Sequence, residues 1–589
     1  MHARSTSDDQ LEMMRGRSAV RRAAPLLALA ALFACSSAPA GGFSTSKDGG
    51  GNSPNGGGGD DGGSSLLPPS LGDDGGGGGG DGASGGGSDQ PATCADAANA
   101  KSYVGCEFWP TVVFNPVWSV FDFAAVVANA SAQPAQITVE RGGMQVATAT
   151  VPPGGIAPVK LPWVTDLKGG DFDSSTNGSR PTASVLAKGG AYHLTSTAPV
   201  TVWQYNPLEY KTDVSKCPYP PSQANGDGIN CLSVTNDASL LLPTAAMTGN
   251  YRVFAMPAMT SNAGAGDTDS PDAVAITGTA AGTTVTINLV AGANVVAGTG
   301  VTSATGPATM TFTLDAGDVV ELLGSRGQFW GDPDSDLSGS VVTADHPVQV
   351  ISLNAITDVP SPAVAGQGFA DHLEETVLPA ESLGKHYVVA PPTTPNATTV
   401  GHYVRFYGNR DGTTLTYPSG SPPAGAPTTL NAGQVVALPA AVTGSFEVEG
   451  SNEFAIASIM MGGEAQDPGS SDPQGDPSMT FAVAVEQFRS KYIFLAPIDY
   501  AESFADILVP PGANVTLDGA ALTGKSTMID SGWSVVRQPL ATTGTGAHDL
   551  ESDEPLGLQI MGFGHATSYY TPGGLNLKLI APPPPLPPR

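Results

Sequence analysis

One phrase recurs four times along this chain: an alternating apolar strand, a short polar turn and a second such strand. It occupies 192–205 (YHLTSTAPVTVWQY), 340–353 (SVVTADHPVQVISL), 446–459 (FEVEGSNEFAIASI) and 548–560 (HDLESDEPLGLQI). Apolar residues at every second position place one face of a strand against a core. Two other phrases recur in step with it. Leu-Pro, a gap, Tyr and alternating apolars appear at 242–257 and 378–391, and in weaker form at 485–497. An apolar residue, a Gly turn and V-x-L appear at 314–322 (LDAGDVVEL) and 430–438 (LNAGQVVAL), with looser forms near Gly154 and Gly532.

Fixed order at a spacing of roughly 100–150 residues reads as tandem units. The expected fold class is all-β, with tandem antiparallel β-sandwich-like repeats of about seven short strands each. A propeller-like ring is the alternative, since four-stranded blades also recur. The expected units are 94–235, 236–370, 371–480 and 481–580, followed by a Pro-rich tail at 581–589.

The N-terminal segment reads as an address. Arg15, Arg17, Arg21 and Arg22 precede a ten-residue apolar run at 25–34 (PLLALAALFA), the pattern of an export signal. Ten residues are too few to cross about 30 Å of hydrocarbon as a helix. The polar stretch before Met13 and Met14 is unlike a signal, which points to Met14 as the start. Leu32-Phe33-Ala34-Cys35 resembles the lipobox of bacterial lipoproteins, so 1–35 is expected to be a lipoprotein signal peptide with Cys35 lipidated. An ordinary secreted protein is the alternative. Ser36 after the Cys favours the outer membrane and cell surface. Residues 36–93 are a Gly/Ser/Asp-rich linker, with 22 Gly in 41–90, too polar to offset its ordering entropy. As a flexible coil it spans about 40–45 Å, enough for a stalk.

Five cysteines is an odd number for an exported chain, and setting Cys35 aside leaves two local pairs. Proximity in an oxidising compartment favours Cys94 with Cys106 and Cys217 with Cys231. Zinc is the runner-up, but its usual ligand spacings are absent. Beyond residue 35 the chain carries 20 basic and 51 acidic residues, a net charge of −31. Nucleic acid and anionic surfaces are thereby excluded as partners, leaving lipid as the route to a membrane.

Several motifs invite chemistry. Residues 82–86 fit G-x-S-x-G but lie in a glycine tract without the strand and helix that motif needs. Residues 519–526 (GAALTGKS) fit a phosphate loop, yet β-branched residues and a Gly follow where a helix is required. Asp332, Asp334 and Asp336 stand at alternate positions in GDPDSDLSG, a weak Ca²⁺ candidate beside the plainer reading of a solvated acidic turn. Leu337 replaces the turn glycine of a calcium hand. Glu374 and Glu375 are adjacent, which on a strand points them to opposite faces. The histidines form no i, i+4 pair and read as surface or partly buried side chains. Most tryptophans read as core. No cofactor is expected and no catalytic set emerges.

Taken together, 105–110 (GCEFWP), 199–207 (PVTVWQYNP), 236–243 (NDASLLLP), 249–256 (GNYRVFAM) and 346–351 (HPVQVI) resemble the IgGFc-binding protein N-terminal domain family, found in animal mucus proteins and in bacterial, myxobacterial-type surface proteins. The resemblance extends over most of 94–580. It implies an exported, all-β, non-enzymatic recognition or adhesion module and carries no binding residues across. The expectation is a cell-surface lipoprotein that binds an extracellular protein or glycan. A structural envelope or coat component is the first alternative and a secreted hydrolase the second.

Overall fold

The turn-and-strand punctuation resolves into four units that share one wiring pattern. The structure, a computed structural model, describes residues 90–129, 131–171, 182–216, 230–257, 271–325, 335–359, 370–418, 420, 422–541 and 544–587. It is nearly all β, and its sheets are antiparallel apart from one short parallel pairing of Gly298–Thr299 with Ser184–Ala187. Unit 2 shows the pattern. Its first strand, Asn250–Arg252, and third strand, Thr283–Leu289, flank Val341–Ala344, and the fourth, Ala308–Leu314, pairs with the third. Its second strand, Asp272–Gly278, and seventh, Asp371–Thr376, flank Val348–Thr357, and the fifth, Val319–Leu323, pairs with the second. The sixth strand thus has two arms, one in each sheet of a sandwich.

Units 1, 3 and 4 repeat these pairings. In unit 3 the arms are Phe446–Gly450 and Phe454–Ile459, in separate four-stranded sheets. In units 1 and 4 the sixth strand is continuous, His193–Asn206 and Ala547–Gly564, and joins both halves into one curled sheet. This strand is the recurring phrase of the sequence. Pro199, Pro347 and Pro555 stand at its corner in units 1, 2 and 4, where a residue without an N–H interrupts the ladder at least cost. The Gly of the V-x-L phrase has the same job in every unit. Gly154, Gly317, Gly433 and Gly532 have φ of 65°, 84°, 76° and 94°, a left-handed turn that a Cβ would strain.

Strands buried on both faces lose the alternation. Asp272–Gly278 and Phe123–Asn129 are buried at every position, whereas Ala308–Leu314 keeps a strict in-and-out pattern. Among the described residues helices are short, and the longest, Cys94–Ala100, opens with a capping box between Thr93 and Asp96 and is stapled to the first strand, Gly105–Phe108, by the Cys94–Cys106 disulfide.

The units are not beads on a string. The seventh strands, Asp237–Leu241, Asp371–Thr376, Met479–Phe481 and Thr567–Pro572, pack against one another, including first against last. Units 1 and 4 share a continuous apolar core that also takes in Ile351 of unit 2 and Val388 of unit 3; a second cluster joins unit 2 to Tyr407, Ile459 and Phe481 of unit 3, and a third lies within unit 3. Tyr103 lies edge-on to Trp203 and contacts Tyr492, and its backbone N–H donates to Leu575 O at 3.1 Å. Sandwich units therefore close on themselves, combining the two arrangements weighed from the sequence. Ser184–Ala187, within the segment assigned to unit 1, pairs with Val319–Leu323 of unit 2. The Pro-rich tail lies across units 2 and 3: Arg252 donates to Pro585 O at 3.1 Å and Arg410 to Pro583 O at 3.3 Å.

A shared core couples distant stretches of chain. Tyr103→Ala should cost about 3–5 kcal/mol, as truncation of a buried aromatic does, and should raise amide exchange in both 193–206 and 547–572. Phe406→Ala, in the unit 3 core, should raise it in 386–459. Hydrogen-exchange mass spectrometry separates the two patterns.

Candidate functional site

Where the seventh strands meet, their polar starts are buried together. Asp237, Asp371, Glu374, Glu375, Asp476 and Ser478 are all 2% exposed or less. Asp237, Asp371, Glu374 and Glu375 each accept a hydrogen bond from another unit, whereas Asp476 Oδ1 is buried without one among the described residues. Asp237 accepts from the Glu374 N–H at 2.9 Å and from Ser478 Oγ at 2.8 Å. Asp371 accepts from Thr567 Oγ1 at 3.0 Å, and the Asp476 N–H donates to Ser568 Oγ at 2.9 Å. Glu374 is gripped by Gln204 and Asn206 at 3.0 and 2.9 Å, two residues of the PVTVWQYNP phrase. Burial, reinforced by neighbouring carboxyls, pushes Asp237, Asp371, Glu375 and Asp476 well above the usual carboxylate range. This node is sealed. It organises the molecule rather than meeting a partner.

Surface concavities lie between units. The groove between units 2 and 3, about 860 Å³, runs from Val290 and Pro307 to Gly433 and Gln434, and Pro587 lines it. Asp336, which lines it, pairs at 2.6 Å with Arg405, and Arg405 also donates to Ala255 O. The groove between units 3 and 4, about 420 Å³, is lined by Thr398, Thr443, Ser445, Lys525, Thr527 and Met528. At its back Arg537 is buried against Asp506, with Thr393 bonded to both. Met528 is 73% exposed. Strand Lys525–Met528 is the last of its sheet, paired on one side to Ser534–Pro539.

The residues singled out by sequence fall as follows. Cys35, Cys217, Asp332, Asp334 and Trp330 lie outside the described residues. Cys94 and Cys106 are bonded to each other, and buried Cys231 is disulfide-bonded as well. Asp336 is occupied: Oδ2 takes Arg405 and Oδ1 takes the Ser338 N–H. The phosphate-loop lookalike at 519–526 is a pair of short strands, Ala520–Ala521 and Lys525–Met528, with a third strand following. Trp109, Trp118 and Trp203 are core, while Trp163 and Trp533 are partly exposed. Glu374 and Glu375 do take separate partners, Gln204 and Thr480, but both are buried.

Two histidines depart from the surface reading, because His372 and His402 are fully buried. Missed entirely were the convergence of the seventh strands and a group formed by His386, Glu447 and Glu449, whose ligand atoms all lie within 4.8 Å of one another. Both depend on cross-strand register. The one available signal was the polar start of NDASLLLP and DHLEET inside otherwise apolar phrases.

A sealed node holding four β units, with grooves between them, defines an all-β recognition module. The chain belongs to the IgGFc binding protein family, whose model matches residues 237–562, spanning the first strand of the node to the last unit. That family is one of binding proteins. No curated protein and no solved structure matches the chain.

Buried carboxyls give stability an unusual pH dependence. Burial raises Glu321 to about 8 and Asp358 to about 7. A folded-state pKa above the unfolded value means stability present at low pH and lost as pH rises through the folded value. His402, lowered to about 3 by burial, acts oppositely below about 6.5. Between pH 6.5 and 9 the melting temperature should therefore fall, by at least about 3 °C. Glu321→Gln, which keeps the acceptor for the Phe114 N–H, should flatten that slope in a thermal scan.

Proposed function

We propose that this chain is an exported recognition protein, tethered through lipid on Cys35 and a Gly-rich stalk, that binds an extracellular protein at the groove between units 3 and 4. Membership of a binding family supports the recognition role. The observation that carries the location is the pairing of an exposed apolar anchor with an edge strand. Met528 supplies adaptable apolar surface, and soft, unbranched Met is common at binding faces. Thr398, Thr443, Ser445 and Thr527 supply hydroxyls for orientation. Strand Lys525–Met528 ends its sheet, where an extended partner segment adds main-chain hydrogen bonds. In this reading the protein is not an enzyme and needs no cofactor.

Protein and glycan arrays probed with the full mature chain carrying Cys35→Ser test the proposal. Saturable binding to a protein, weakened at least about tenfold by Met528→Arg, is the expected result, since a central contact is worth about 1.4 kcal/mol or more. Binding confined to glycans, or indifferent to Met528→Arg, overturns it. No saturable binding at all returns the structural coat reading. Cys35→Ser should independently move the protein from the detergent-rich to the aqueous phase, and unchanged partitioning removes the lipid anchor.

A further inference from the structure

Unit 3 places one imidazole and two carboxylates on a single face of a strand pair. His386 lies on the first strand, His386–Val389, and Glu447 and Glu449 on Phe446–Gly450. In the antiparallel register His386 is opposite Glu449 and Val388 is opposite Glu447. Residues two apart on a strand share a face, and directly opposed residues share it too. The sheet backbone thus fixes all three side chains on one side without any loop. His386 Nε2 is 2.5 Å from Glu447 Oε1, and one ligand atom from each residue lies within 4.8 Å of the other two.

The environment of the three groups differs in a useful way. Glu447 is 5% exposed and His386 partly buried, so two donors are held rigidly, whereas Glu449 is exposed and free to swing. Trp533, from unit 4, stands edge-on to the imidazole with ring centres 6.5 Å apart, walling one side. With neutral imidazole the set carries two negative charges, which a divalent cation cancels. An N/O/O donor set of three suits zinc-like ions with an open fourth position; Ca²⁺ and Mg²⁺ want more oxygens and no nitrogen. Tetrahedral ligation at about 2.0–2.2 Å needs donor atoms roughly 3.3–3.5 Å apart. A small opening of the His386–Glu447 contact and a rotation of Glu449 achieve that.

We propose that His386, Glu447 and Glu449 form a binding site for a divalent transition-metal ion, of which Zn²⁺ is the best-fitting example. The ion ties the first strand of unit 3 to its sixth beside the unit 4 wall, and its remaining position is open to solvent or to a partner's ligand. This site is independent of the groove at Met528.

The test is isothermal titration of ZnCl₂ into the full mature chain, without a histidine tag, in chelator-treated buffer. One zinc per chain and a zinc-dependent rise in melting temperature are expected. His386→Gln and Glu447→Gln should each weaken binding by at least about tenfold and abolish the thermal shift. Glu449→Gln, altering an exposed side chain with little demand on folding, should weaken it too and serves if the buried variants fail to fold. Co²⁺ should give a tetrahedral visible absorption band that is lost in Glu449→Gln. No zinc uptake, or uptake unchanged in Glu449→Gln and in whichever of the other two variants folds, overturns the site.

Discussion

Four strands must begin in the same buried place, and that requirement governs the molecule. Asp237, Asp371, Asp476 and Thr567 each lie in or just before the closing strand of a unit, and each is hydrogen-bonded to groups from another unit. A carboxyl taken from water without partners costs several kcal/mol, so these contacts have to form together or not at all. Burial pushes the carboxyls of Asp237, Asp371 and Asp476 well above the usual carboxylate range, which eases their sharing one small volume. The same demand explains why the units cannot separate like independent beads. Parting them would strip Asp237 and Asp371 of partners that other units supply.

From that node the rest of the architecture follows outward. The closing strands fix the second arm of each sixth strand, the sixth strand fixes both sheets of its sandwich, and the sandwiches meet along grooves. Units 1 and 4, brought together by the ring, fuse their cores through Tyr103, Trp203 and Tyr492. Units 2 and 3 share a second core cluster and are strapped further by the Pro-rich tail through Arg252 and Arg410. Surfaces suited to recognition are therefore set between units, where turn residues from two sandwiches converge. The interior is committed to holding the ring.

Much of the fold was legible because strand periodicity is local. Alternation in MTFTL, the Gly of LDAGDVVEL and the Pro at the sixth-strand corner each act within a few residues, so a linear reading finds them. Cys94 and Cys106 are close in sequence and bonded for the same reason. Burial of His372 and His402 was not legible, since a strand covered on both faces looks like one covered on one face until its neighbours are placed. Asp336 shows the opposite failure. Its spacing from Asp334 and Asp332 resembles a cation loop, but an Arg from the next unit, sixty-nine residues on, takes its oxygen.

The sequence by itself determined an all-β chain of four similar units, their seven-strand content, and membership of a family of binding proteins. These are consequences of period-2 alternation, turn chemistry and short phrases, all readable over a few residues at a time. Tertiary structure alone decided that the units close on one another, that five acids meet in the dark at the centre, and that His386 stands across from Glu449. Such facts arise from register between strands far apart in the chain. A one-residue slip would send those side chains to the other face, and no local pattern records which register wins.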